Sequence, residues 1–189
     1  MTKQEFWDSF EQHIPALEKL LDGGHDYSAY NALSAKLREF NELLIPEITM
    51  KKGVHVLIIS CDGIREGISA VEYLTQGVEG YTNWQIVKYR QPNSMDFIPV
   101  HGFKVKRNDI WLSWEKTPEN KYDLTFFPKW YSGNRIYQTG ALLHLDHAIG
   151  EYNAMIKVNG IEFKRLGLFQ SKDGLKNLDE FKAEIVATS

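Results

Sequence analysis

Two histidines and a carboxylate recur at helical spacing in the run Leu142-Leu143-His144-Leu145-Asp146-His147-Ala148-Ile149-Gly150-Glu151. At about 100° per residue, His144, His147 and Glu151 fall within about 60° of one another, and Leu142, Leu145 and Ile149 point roughly the opposite way. Neutral imidazole and ionised carboxylate are good ligands for zinc or iron, so this face can supply three corners of a metal site. The spacing is not the His-Glu-x-x-His of a zinc protease, and Gly150 can end the helix before Glu151. The competing reading is the wet side of an amphipathic helix, with histidines near a C-terminus that favours positive charge. On that reading Asp146, His147 and Glu151 are structural, and no metal or cofactor is implied.

A second group follows the strand-like run Val54–Ser60. Cys61 stands between a buried strand and a helix start, where amide dipoles lower a thiol pKa, but adjacent Asp62 acts in the opposite sense. Nucleophilic catalysis also requires a histidine within reach, which spacing alone does not place. A small cysteine packed at a strand end is the alternative. The segment Ser60–Gly67 lacks both the Walker lysine and the dinucleotide glycine spacing, so Asp62 reads as a helix cap. A third group is Phe127-Pro128-Lys129-Trp130-Tyr131-Ser132-Gly133-Asn134-Arg135. Trp130, Tyr131 and Arg135 are the residue types that dominate binding hot spots, or else the two aromatics fold back as a lid on a sheet. Met95, Phe97 and Ile98 can extend either arrangement.

The elements that must position these groups follow from periodicity. Thr2 and Glu5 form a capping box ahead of Phe6, Phe10, Ile14 and Leu17, with Pro15 expected to kink or split the helix. A second helix, capped by Asp26 or Ser28, carries the stripe Tyr30, Leu33, Leu37, Phe40 and Leu44. Glu47–Met50 and Val54–Ser60 read as strands around a Lys52-Gly53 turn. A helix with Ile64, Ile68, Val71, Tyr73 and Leu74 then leads to a strand at Trp84–Arg90. Gln91–Gly102, with Pro92 and Pro99, reads as a loop. Asp109–Lys116 and Lys121–Phe127 form a hairpin that places Ile110, Leu112 and Trp114 on one face, facing Tyr122, Leu124 and Phe126 of the partner strand. After the helix ending near Gly150, Tyr152–Lys157 and Ile161–Arg165 read as strands joined by an Asn159-Gly160 turn. A last helix, boxed by Asn177 and Glu180, buries Leu178, Phe181 and Ile185.

This order predicts an α+β fold with a mainly antiparallel sheet and helices packed on one face. The core is expected to be ferredoxin-like, with added strands and an N-terminal helical pair. At 189 residues with no long linker, a single domain is expected, with residues 1–45 as a helical extension and 46–189 as the α+β core. A net charge of −3 supplies no broad positive field for nucleic acid. The small basic cluster Lys104, Lys106 and Arg107 reads as a strand edge or turn. The longest aliphatic run is far short of a membrane span. One cysteine excludes an internal disulfide framework, and with no apolar run behind Met1–Glu5 a cytoplasmic location is expected.

Phe6-Trp7, Leu57-Ile58-Ile59-Ser60-x-Asp62-Gly63, Trp84-Gln85-Ile86 and Leu145-Asp146-His147-Ala148-Ile149-Gly150-Glu151 occur in an order that resembles a family of small bacterial proteins, a domain without an established activity. The likeness covers most of Phe6 to Phe163. It implies a bacterial cytosolic α+β domain and carries over no catalytic residue. The sequence thus leads to a non-catalytic protein-binding or regulatory module, immunity-type partners included, with Trp130, Tyr131, Arg135, His147, Glu151 and Asp62 as candidate binding residues. The alternative is a small metal-dependent hydrolase using His144, His147 and Glu151. A homodimer formed through the 30–44 stripe is a third reading.

Overall fold

The computed structural model describes residues 1–166 and 172–187, and the chain divides into two compact units, Met1–Arg90 and Gln91–Ser189. The helical pair belongs to the first of these.

In the first unit, α1 (Lys3–Leu21) opens on the expected capping box: Thr2 Oγ1 accepts from Glu5 N at 3.2 Å, and Thr2 N donates to the Glu5 carboxylate at 2.6 Å. It buries Phe6, Trp7, Phe10 and Leu17. Pro15 neither kinks it into two elements nor ends it. The residue is exposed, so the carbonyl deprived of its partner can be served by water. In α2 (Ser28–Phe40), Leu33 and Leu37 are fully buried. Asp26 accepts from Ser28 N at 2.9 Å, just ahead of the first turn. β1 (Ile45–Lys51) and β2 (Val54–Ser60) pair antiparallel around Lys52 and Gly53, both at positive φ (51° and 78°). The chain then crosses through α3 (Ile68–Thr75) to β3 (Trp84–Lys88), which lies parallel to β2.

The second unit contains an element that proline had disguised. Gln91–Gly102 is not simply a loop: β4 (Phe97–Val100) pairs antiparallel with β5 (Phe103–Lys106). Its turn uses His101 and Gly102 at φ 47° and 82°. Pro99 is exposed and sits opposite Lys104 on a two-stranded ribbon, the kind of edge where a missing N–H does no harm. β6 (Ile110–Lys116) and β7 (Tyr122–Pro128) form the expected hairpin, with Leu112 opposite Phe126 and Trp114 opposite Leu124. Two helices follow, α4 (Arg135–Ile149) and α5 (Glu151–Lys157), then β8 (Val158–Phe163) parallel to β7, and finally α6 (Leu178–Ala187).

Residues 152–157 are therefore helix, not strand. Glu151 and Met155 are both buried, a four-residue spacing that one helix face provides. Asn159-Gly160 is not a hairpin turn either. It is an irregularity in a parallel pair, where the register jumps from Tyr122↔Val158 to Asp123↔Gly160. Asn159 Nδ2 donates to Asp123 Oδ1 at 2.9 Å, and a Cβ on Gly160 would stand 2.8 Å from that same oxygen. The dipeptide is chosen for close approach here.

Both units run one path: an antiparallel hairpin, a helical crossover, and a third strand parallel to the second. The protein is α+β, and its strand pairings are mostly antiparallel. The ferredoxin-like core is not confirmed, because the strands among the described residues form separate sheets of three, two and three. No helix among those residues is long and apolar enough to cross a membrane.

Candidate functional site

The helix expected to carry chemistry is α4. Asn134 caps it by accepting from Ile136 N at 2.8 Å, and Gly150, at φ 84°, ends it. The break separates Glu151 from the histidines, since Glu151 opens α5 and is fully buried. His144 is fully buried as well, and Leu142, expected on the apolar side, is 38% exposed. The expected wet face is thus a core face. The hairpin β4–β5 packs on it, and Gly140 permits the approach: a Cβ there would lie 2.6–2.7 Å from the Val105 side chain.

His144 Nε2–H donates to the Val105 carbonyl at 2.9 Å, which leaves Nδ1 as a buried acceptor without a hydrogen-bond partner among the described residues. Burial holds the His144 pKa below the usual 6.5, and the charge of Arg107 acts in the same direction against the bond to Val105. A neutral ring wedged between α4 and β5 is a packing element with a polar tie. Among the described residues no group of three or more His, Cys, Asp or Glu is arranged to hold a metal ion.

His147 is half-buried and lines a cleft of about 190 Å³ together with Asn93, Ser94, Arg107, Asp179 and Lys182. Asn93 N donates to the His147 carbonyl at 2.8 Å, tying the segment before β4 to the end of α4. Arg107 Nη2 donates to Asp179 Oδ1 at 2.6 Å in the first turn of α6. The capping box beneath that turn is the expected one: Asn177 Oδ1 accepts from Glu180 N at 2.9 Å, and Glu180 accepts from Asn177 N at 2.8 Å. Of this cleft the sequence singles out His147 as a candidate and Arg107 only as part of a basic cluster; Asp179 and Lys182 carry no local signal.

Asp62 and Cys61 belong to the first unit. Asp62 does not cap a helix, because α3 begins only at Ile68 and Gly67 precedes it without a side-chain bond. Asp62 stands at φ 52° and accepts from Arg90 Nη2 at 2.7 Å, while Arg90 Nε donates to Glu47 Oε1 at 2.5 Å. Asp62 shares the Arg90 guanidinium with Glu47 just beyond the end of β3. Cys61 is fully buried, and a Cβ on Gly67 would fall 2.5 Å from its own Cβ. This is the packing role.

The segment after β7 divides between its two readings. Tyr131 folds back: its ring lies 5.7 Å from Phe163 and its hydroxyl accepts from Gln138 Nε2 at 2.9 Å. Trp130 points out and is 63% exposed, with Lys129 Nζ 5.2 Å from the ring centroid. The loop is pinned by Lys129 N to the Asp109 carbonyl at 2.8 Å and by Arg165 Nη2 to the Ser132 carbonyl at 2.6 Å. Arg135 is exposed beside it. Of the flanking residues, Ile98 is core, whereas Phe97 is 40% exposed beneath Lys104. Comparison of the chain with protein-family models, with curated proteins and with solved structures finds no match in any of the three, so the resemblance to a bacterial family gains no support from them.

Proposed function

We propose that the protein is a non-catalytic binding module that docks another protein through Trp130. The observation that carries this reading is a large aromatic side chain held outward by a loop whose neighbours are fixed. Tyr131 is anchored to Gln138 and Phe163, Ser132 to Arg165, and Asn134 to the start of α4. A ring presented this way loses little freedom on binding, the property that makes tryptophan a hot-spot residue. Lys129 lies over the ring, Arg165 is exposed and tied to Ser132 of the same loop, and Arg135 is exposed at the loop's end, which favours a partner whose surface offers an apolar notch rimmed by carboxylates. A regulated enzyme or a toxin bound by an immunity-type protein are the partner classes this fits. The hydrolase reading has less behind it, because His144 and Glu151 are both buried and Gly150 separates them.

The test is capture from the source cells with wild type and Trp130→Ala, followed by reconstitution of the captured pair from purified proteins. A stoichiometric partner whose affinity drops by about 2 kcal/mol or more with Trp130→Ala, and falls further with Arg135→Ala, supports the reading. A partner held equally by both variants, or none at all, sinks it.

A further inference from the structure

We infer that the cleft between α4, α6, Arg107 and the segment before β4 is a binding site for a phosphate group. Its polar lining is Asn93, Ser94, Arg107, His147, Asp179 and Lys182. Two of these are permanent cations, and the single carboxylate among them does not balance them.

Three features support an anion, and a small one. Arg107 is held in place, with a side chain only 13% exposed and its backbone N donating to the Asp96 carbonyl at 2.9 Å. Its Nη1 is buried and has no hydrogen-bond partner among the described residues, so the guanidinium has donor capacity that the fold leaves unused. The volume of about 190 Å³ is small beside the roughly 300–1,000 Å³ of most organic-ligand sites and suits a phosphate with a short organic tail.

The occupant of Arg107 in this structure decides the ligand class. Asp179 meets Nη2 at 2.6 Å, yet its side chain is 73% exposed and can turn out to solvent. An incoming anion must displace that carboxylate. A simple monocarboxylate brings no more charge than Asp179 does, whereas a phosphate monoester carries about −1.5 to −2 and three acceptor oxygens. With Asp179 turned away, Arg107 Nη2 is released to meet the anion, and Lys182, one turn along α6, adds a second cation. Asp179 is then a built-in competitor that keeps the cleft closed to weaker anions.

The experiment is a titration of the full chain with inorganic phosphate, glycerol 3-phosphate and acetate at constant ionic strength, read by calorimetry and by the thermal midpoint. Saturable binding of phosphate or the monoester, with acetate at least about tenfold weaker, is expected. Inorganic phosphate binding as well as the ester points to free phosphate as the ligand, and tighter ester binding points to an organic phosphate. Arg107→Gln should weaken binding by about tenfold or more, and Lys182→Gln by about threefold. Asp179→Asn should tighten it by about fivefold, a direction that mere loss of structure does not produce. Lys104→Gln, outside the cleft, should change nothing. If Arg107→Gln fails to fold, the two exposed positions on α6 decide the matter. A response that tracks ionic strength alone, that treats acetate and phosphate alike, or that is indifferent to Asp179→Asn overturns the assignment.

Discussion

The two compact units take the same route through hairpin, crossover and parallel third strand, yet they differ in what they enclose. In the first, the crossover is a three-residue 3₁₀ helix at Arg65–Gly67 followed by the eight-residue α3, and the buried polar side chains are the hydroxyls of Ser60 and Thr75. In the second, the crossover is 15 residues of α4, a glycine break and seven of α5, and the buried polar side chains among the described residues are His144 and Glu151. The longer crossover needs a cover, which β4–β5 supplies. Covering it turns a helix face that would have been wet into core. Ionisable groups came inside the second unit as a consequence of topology, and the cleft at the end of α4 lies beside them.

The sharpest way to break this parallel is through the aromatic contact that closes each unit. Phe10 of α1 meets Trp84 edge-on at 5.3 Å and 88°, and Phe181 of α6 meets Tyr122 at 5.4 Å and 86°. Both phenylalanines are fully buried. Phe10→Ala and Phe181→Ala should each lower stability by about 3–5 kcal/mol in denaturant titrations. If either costs under about 1 kcal/mol, the terminal helices do not play equivalent parts.

Next in size is a matched pair of close-packed glycines. Gly67→Ala drives a methyl into Cys61, and Gly140→Ala drives one into Val105. Each should cost about 1–3 kcal/mol through overpacking. The Gly140→Ala defect should be partly rescued by Val105→Ala, with a coupling of at least about 0.5 kcal/mol in a double-mutant cycle. Strict additivity would mean that β5 does not bear on α4 at this point.

These glycines also show where the sequence stopped being legible. Hairpins with alternating faces, such as Leu112 opposite Phe126, and capped helices such as that at Asn177 could be read directly, because each signal is local. What failed was long-range. Nothing near His144 says that Val105, 39 residues away, will lie on it, since proline had hidden β4–β5. Asn159-Gly160 carries a true close-approach signal, but a hairpin turn and a parallel-strand irregularity demand the same residue types. The cleft was least visible, because Arg107, Asp179 and Lys182 come from two distant segments with ordinary surface composition.

His144 allows a gentler test of the difference between units. Its folded pKa is lowered, so above 6.5 both states hold a neutral ring and no differential proton uptake arises. Below that value the unfolded chain takes up a proton that the native ring resists, and stability falls as pH drops until the depressed native pKa is passed. Unfolding midpoints between about pH 7.5 and pH 5 should therefore fall less steeply for His144→Gln, whose amide can still donate to Val105. The nearest counterpart in the first unit, His55, also has buried ring nitrogens but sets its Nδ1 3.5 Å from a Glu18 carboxylate oxygen. Parallel profiles for the two proteins would show that His144 does not resist its proton.

The smallest expected change in stability is the most informative about function. Both units expose a large aromatic, but Tyr73 is stacked on Phe40 at 6.2 Å and 8°, whereas among the described residues Trp130 has only the Lys129 ammonium over its ring. Tyr73 belongs to the fold of its unit in a way that Trp130 does not. Trp130→Ala should therefore alter stability by no more than about 0.5 kcal/mol. Its neighbour behaves differently: Tyr131→Ala removes a ring contact with Phe163 and strands the Gln138 amide, and should cost about 1–2 kcal/mol. That asymmetry between adjacent aromatics is the signature of one residue that holds the loop and one that the loop holds out. Equal losses at both positions would make Trp130 a structural residue and remove the physical basis for a docking role.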